Sequence, residues 1–222
     1  MNSLNQAMQD DAKKVLALLG VPVVQAPQEG EAQAAHMAAR GDVWAANSRD
    51  YDSVLFGAPR LVRYITISGQ EFLPSKRIAR PLVPELIELR RLLDSLKLTW
   101  PQLVDLAILV GTDFNKGIKG VGPKTALKLI RLHENLLNLP DRYRKQLPDN
   151  IEELRRIFMN PAVTDAYNIQ FKEPDEHALR EFLCAERGFS TERVDLAIER
   201  MREFHARERS TLQSWLNNDR GS

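Results

Sequence analysis

Val43-Trp-Ala-Ala-Asn-Ser-Arg-Asp-Tyr-Asp52 joins a short apolar run to two carboxylates one residue apart. Val43 to Asn47 reads as a buried strand, too short for a helix, and Asp50-Tyr51-Asp52 as an acidic loop directly after it. Upstream, Val21-Pro-Val-Val-Gln25 reads as another β-type run, Pro27 to Glu31 as a turn, and Glu31 to Arg40 as an Ala-rich helix. Downstream, Leu61 to Ile67 reads as a third strand, with a hairpin at Ser68-Gly69. Strands alternating with helices predict an α/β fold, with a partial, mostly parallel sheet and flanking helices.

Outside that segment the periodicity is helical. Ala12, Val15, Leu16 and Leu19 share one face of a helix that spans Gln9 to Leu19 and closes at Gly20. Beyond Val83, helices are expected over Glu85–Leu93, Trp100–Val110, Pro123–Leu132, Glu176–Arg187 and Thr191–His205. A loop around one short helix fills Gln146–Val163, and Ser214–Ser222 reads as a polar, frayed end. Three regions follow: residues 1–99 as an α/β core, 100–206 as a helical region, and 207–222 as a tail.

The 222 residues carry a net charge of +1 and a single cysteine, Cys184, which excludes an internal disulfide framework and a cysteine zinc cage. Cys184 is expected to pack as a small hydrophobe in a reducing, intracellular compartment. No apolar run reaches bilayer length, and the first residues resemble no signal peptide, so no membrane partner is expected. The charge is segregated along the chain. Acids dominate through Asp52, whereas Phe114 to His133 contains none and carries Lys116, Lys119, Lys124, Lys128 and Arg131. Such segregation suits a protein that holds cations in one place and phosphates in another.

Five acids stand at the ends of expected elements: Glu29 and Glu31 at a helix start, Asp50 and Asp52 after a strand, and Asp113 after the apolar run 106–112. The C-terminal strand ends of a parallel sheet share one crevice, where the first four can converge. Taken singly, Glu29 and Glu31 also fit a helix N-terminus complementing its dipole, and Asp50-Tyr-Asp52 a solvated turn. Neither accounts for three clusters together. Crowded carboxylates either hold a proton or gather around a hard divalent cation, and oxygen-only donors suit magnesium or manganese. Two such ions would activate water and stabilise the leaving oxygen of a phosphodiester.

Gly117-Ile-Lys-Gly-Val-Gly-Pro-Lys-Thr-Ala126 lies between two expected helices. Gly117, Gly120 and Gly122 permit close backbone approach, and Pro123 suits the first turn of the next helix. The free N–H groups of that turn, Thr125 among them, face the loop, and Lys119, Lys124 and Lys128 surround it. This is a helix–hairpin–helix, suited to gripping a nucleic-acid backbone without reading bases. The P-loop spacing is absent, and a plain αα-hairpin explains the glycine and lysine density less well.

Ala26–Ala35, Ser48–Ser53, Phe56–Pro59, Val110–Asn115 and Gly117–Lys124 resemble, in unbroken order, the XPG-type structure-specific 5′ nucleases, the flap endonucleases, and above all the archaeal ones. The later stretches Asn160–Asp165, Lys172–Asp175 and Glu186–Ser190 look like that family's helical region. The resemblance implies metal-dependent cleavage of branched DNA in replication and repair. It makes Glu29, Glu31, Asp50, Asp52 and Asp113 ligands of two Mg2+ or Mn2+ ions, and it places K+ at the helix–hairpin–helix. It implies the nucleoid-associated cytoplasm of a prokaryote or the nucleus of a eukaryote. In the family, further metal-binding aspartates, basic residues and the flap-threading arch precede the matched region, so a separate N-terminal nuclease part is an expected partner. Leu212, Trp215 and Leu216 form one apolar face that ends a helix or, by resemblance, docks on a sliding clamp, although Arg209 and Leu216 depart from the usual peptide. A non-catalytic DNA- and clamp-binding module, or a related exonuclease or junction resolvase, are the competing readings.

Overall fold

The structure, a computed structural model, describes the backbone of residues 5–65, 69–73 and 78–218, and the side chains of these except 72–73 and 208–218. Along the chain come α1 (Gln6–Leu18), α2 (Gly30–Arg40), β1 (Ala46–Asn47), α3 (Asp52–Leu55), β2 (Arg60–Arg63), β3 (Gln70–Leu73), β4 (Ile78–Pro81) and β5 (Glu85–Glu88). There follow α4 (Leu89–Leu96), α5 (Trp100–Val110), α6 (Pro123–His133), α7 (Asp141–Arg144), α8 (Ile151–Met159), α9 (Glu176–Arg180), a π-helical stretch Glu181–Glu186, and α10 (Thr191–Asn218). Two compact units result, one of residues 26–165 and one combining 1–25 with 166–222. Among the described residues, no helix is long and apolar enough to cross a membrane.

In the larger unit, β1, β2 and β5 form a sheet in that order, with β1 and β2 parallel and β2 and β5 antiparallel. The mixed α/β character read from the sequence holds, but the sheet is not mostly parallel: among the described residues β1–β2 is parallel, whereas β2–β5 and β3–β4 are antiparallel, since the chain between β2 and β5 folds into a hairpin rather than a helical crossover. Two local expectations need correction. Glu85–Glu88 is strand, because Glu85, Leu86, Ile87 and Glu88 pair with Arg63, Val62, Leu61 and Arg60, and the helix begins only at Leu89. A short apolar run satisfies either period, and the available β2 edge decides it. The hairpin joins β3 to β4, with Gln70 opposite Pro81, and is not centred on Ser68-Gly69. Ser68 itself lies outside the described residues.

The smaller unit supplies a third correction. Val21–Gln25 is not a strand: the Lys172 N–H donates to the Gly20 carbonyl at 2.8 Å, Pro22 lacks a donor, and no ladder forms. Gly20, at φ 75°, is required there, since a Cβ would stand 1.8 Å from the Lys172 oxygen. Leu179, Val194 and Ile198 form this unit's core with Val15, Leu18 and Leu19, and half-buried Cys184 packs against it as expected of a small hydrophobe. The backbone of α10 runs on to Asn218, past the expected end at His205. The side chains of Leu212, Trp215 and Leu216 lie outside the described residues.

The larger core explains how distant segments are held in register. Ala32 and Ala35 of α2, Leu61 of β2, Val104, Ile108 and Leu109 of α5, Ile130 of α6 and Phe158 of α8 are all at or near zero exposure. The Phe158 ring meets Phe56 at 5.2 Å and Phe114 at 5.5 Å between centroids. Asp105 of α5 is buried beside Arg155 of α8, with Nε and Oδ1 3.0 Å apart. Burial pushes this carboxyl up, and the guanidinium opposes the shift. Phe158→Ala empties the point where the segments after β1, α5 and α8 meet. It is expected to cost about 3–5 kcal/mol, read as a lower midpoint in urea unfolding with little change in slope.

Candidate metal centre and nucleic-acid interface

The acids reach one region by separate routes. β1 ends at Asn47, and Asp50 lies in the bend that follows, while Asp52 opens α3. α2 packs on both β1 and α3, and its first turn carries Glu31, with Glu29 as the preceding cap residue. Asp113 sits in a tight turn after α5, where Thr112 and Asn115 exchange backbone hydrogen bonds of 3.0 and 3.2 Å. The Asn115 side-chain amide donates to the Ile108 carbonyl at 2.9 Å, closing the exposed end of α5.

The convergence is visible in Asp52. Burial raises its pKa first, and the negative charges of Glu31, Asp113, Asp50 and Glu29 raise it further. The other four predicted acids thus all act on Asp52. Among the described residues none of them forms an ion pair. The donor set therefore suits a hard cation: only oxygens, surplus negative charge and no protein counter-ion. As placed, no three of the described acids, histidines or cysteines stand close enough together to share one ion. Repelling carboxylates splay, and a bound cation would draw them inward.

Two residues that pattern reading passed over hold this arrangement. The Ser48 hydroxyl donates to the Glu31 carboxylate and accepts the Asp50 N–H at 3.1 Å, linking two of the clusters. Arg63, at the end of β2, is 7% exposed and bonds the carbonyl of Arg49. A serine just after a strand is a usable signal. A strand arginine is not, because only the register of β2 against β1 reveals what it reaches.

The glycine-rich turn is built as expected. α5 leads into it and α6 leaves it, with Gly122 as N-cap and Pro123 in the first turn. At Gly117 a Cβ would stand 2.0 Å from the Val110 oxygen, so the two strands of the turn meet backbone to backbone. Ile118 and Val121 are buried and joined by a 3.0 Å hydrogen bond, with Gly120 at φ 80° between them. The buried pair pins the turn and leaves Lys119, Gly120 and Gly122 outward, with Lys124 and Lys128 exposed on α6 and Thr125 half-buried. Among the described residues, Lys119, Lys124 and Lys128 have no acidic partner. Arg131 differs: its guanidinium caps α4 through the Leu96 carbonyl at 2.8 and 2.6 Å.

The family model of the XPG I-region matches residues 20–113, the stretch that carries all five acids. Flap endonuclease 1 of Pyrococcus horikoshii is 47% identical over 214 residues, which is 96% of this chain and 62% of that protein. Over nearly its whole length this chain is similar to archaeal flap endonucleases. The solved flap endonuclease-1 from Methanococcus jannaschii superposes with a TM-score of 0.79 at 39% identity, covering 92% of this chain and 60% of the other. Human GEN1, solved in complex with Holliday junction DNA, aligns at a TM-score of 0.68 and 26% identity, over 88% of this chain and 52% of its own. The chain thus spans about three fifths of the length of the flap endonucleases it matches.

Because its folded-state pKa lies above the ordinary 3.8, Asp52 favours the folded state while protonated. That contribution is complete below pH 3.8 and is lost as pH rises through the raised value. Asp52→Asn is therefore expected to raise the metal-free Tm at pH 7 by about 2 °C, allowing for solvent screening of a half-exposed group. The gap should narrow toward pH 3.8 in thermal unfolding followed by circular dichroism. A variant less stable than the parent at neutral pH would show that the acids do not repel.

Proposed function

We propose that this chain is the metal-binding and DNA-gripping part of a structure-specific 5′ flap endonuclease, which hydrolyses phosphodiesters of branched DNA in replication and repair. The observation that carries this reading is the crowding of four acids on Asp52 without a counter-ion. Glu29, Glu31, Asp50, Asp52 and Asp113 would hold Mg2+ or Mn2+. When bound, such ions supply an activated water and stabilise the leaving oxygen. Ser48 orients Glu31, and the Thr112–Asn115 turn presents Asp113. Lys119, Lys124, Lys128 and the N–H groups at the start of α6 bind phosphates of the duplex, and K+ at the turn would add to that grip. The family resemblance extends the proposal to a sliding clamp at Leu212, Trp215 and Leu216.

A second reading, a DNA-binding module that is inactive alone or needs a separate nuclease part, is favoured by one observation: no three described acids are close enough to share an ion. A 5′-flap duplex assayed with Mg2+ or Mn2+ separates the two. The chain is tested alone and with the remaining part of an archaeal relative supplied in trans. Cleavage near the flap junction by the chain alone supports the first reading, and cleavage only with the supplied part supports the split enzyme of the second; either activity should be reduced about 100-fold or more by Asp113→Ala with duplex affinity retained. No cleavage in either arm, with the supplied part shown to dock, would leave the binding module. For the grip, duplex affinity should fall with salt and ignore sequence. Replacing Lys119, Lys124 and Lys128 by Ala should lower the log–log salt slope by about 2–3. An unchanged slope would put the contact elsewhere.

A further inference from the structure

The acidic loop has little packing of its own, since Arg49, Asp50 and Tyr51 are all exposed. The Arg49 side chain pairs with Glu71 of β3 at 2.8 Å, but that arginine is 64% exposed and the pair contributes little in water. The firm anchor comes from below. Arg63 Nε and Nη2 donate to the Arg49 carbonyl at 3.0 and 2.7 Å, and Nη1 donates to the Tyr51 hydroxyl and, at 2.9 Å, to Glu85 of β5. The same guanidinium carbon stands 3.9 Å from the centre of the Tyr51 ring and 4.5 Å from that of Tyr64. One side chain therefore grips both neighbours of Asp50, and Asp52 follows directly.

We infer that Arg63 is a positioning residue for the metal-binding acids, fixing the backbone on both sides of Asp50 and the start of α3. The inference rests on the reading of those acids as a metal site. Holding an arginine at 7% exposure is costly, and a hydrophobic side chain of similar volume would pack the site as well. What such a side chain lacks is the rigid fork of donors that reaches a carbonyl, a phenol and a carboxylate at once. The fork matters here because the loop has to keep Asp50 and Asp52 near Glu29, Glu31 and Asp113 against their repulsion. Tyr64, at φ 63°, takes a backbone conformation uncommon for a bulky residue, and its ring is thereby kept in contact with the guanidinium.

The test is a Mn2+ titration read by electron paramagnetic resonance on the full chain. It compares the parent with Arg63→Lys, which keeps the charge and loses the fork, and Tyr51→Phe, which keeps the ring and loses one acceptor. Misplacing an outer partner of metal ligands typically weakens binding by 10-fold or more. Arg63→Lys should therefore bind Mn2+ about 10-fold more weakly, and Tyr51→Phe severalfold more weakly. Duplex affinity should be unchanged in both, and Tyr51→Phe should keep the parent's metal-free Tm, which a merely structural role would not pair with weaker metal binding. If Arg63→Lys fails to fold, Tyr51→Phe carries the test. Parent-like Mn2+ binding by the folded variants, while Asp50→Asn/Asp52→Asn binds weakly, would overturn the positioning role alone. No Mn2+ binding by the parent would overturn the metal reading, and this inference with it.

Discussion

The constraint on which the candidate site depends is a repulsion, that of the four acids acting on Asp52 at the start of α3. Unfavourable on their own, they stay together because their backbones are fixed by elements that do not repel. α2 is seated on β1 and α3 through Ala32 and Ala35, which are fully buried, so Glu29 and Glu31 cannot retreat without emptying the core. α3 is held from the other side. The Trp100 indole donates to the Leu55 carbonyl at 2.9 Å, and Gly57, at φ 85°, lets the chain turn close to that ring, where a Cβ would stand 3.0 Å away. Hydrophobic burial supplies the free energy, and the hydrogen bonds to Ser48, Arg63 and Trp100 decide where it is applied.

The same core joins the acids to the lysine turn. α5 begins at Trp100, against the end of α3, and ends at the turns that carry Asp113 and Gly117. Its start is fixed by a capping box between Thr99 and Gln102, and its end by Asn115 and by the contact of Gly117 with the Val110 carbonyl. One stiff helix fixes the separation of its two ends. Phe158 wedges this helix from the side through Phe114, the residue next to Asp113.

Much of this was legible in the sequence, and the exceptions share a cause. The acids and the Gly117–Lys124 turn could be read because their chemistry lies in residue type and local spacing. That the sheet holds a parallel pair was legible, but not which one: the helix Glu31–Arg40 suggested pairing on either side of it, whereas β1 pairs with β2 across the acidic loop and α3. Glu85–Glu88 was misread because its pattern fits both periods, and only pairing with β2 selects strand. Val21–Gln25 looked like a strand by composition, yet it runs beside Lys172, about 150 positions away. Arg63 carries no local mark at all. Long-range pairing decided each of these, and local propensity holds no information about it.

The distribution of charge also orders events on the proposed reading. A phosphodiester cannot approach five bare carboxylates, since like charges repel most where water is partly excluded. The acids alone therefore cannot recruit DNA, and the grip has to come from elsewhere. Lys119, Lys124 and Lys128 are exposed and without acidic partners among the described residues, so no internal ion pair must break before they meet a phosphate. Their field attracts any duplex regardless of sequence, and the turn's backbone then fixes where the phosphates lie. On that reading, cations at the acids would convert the same region from repelling to attracting, so metal binding would govern the approach of the strand to be cut, while the lysine turn would govern residence on the duplex. The two functions can then be weakened separately even though one helix connects them.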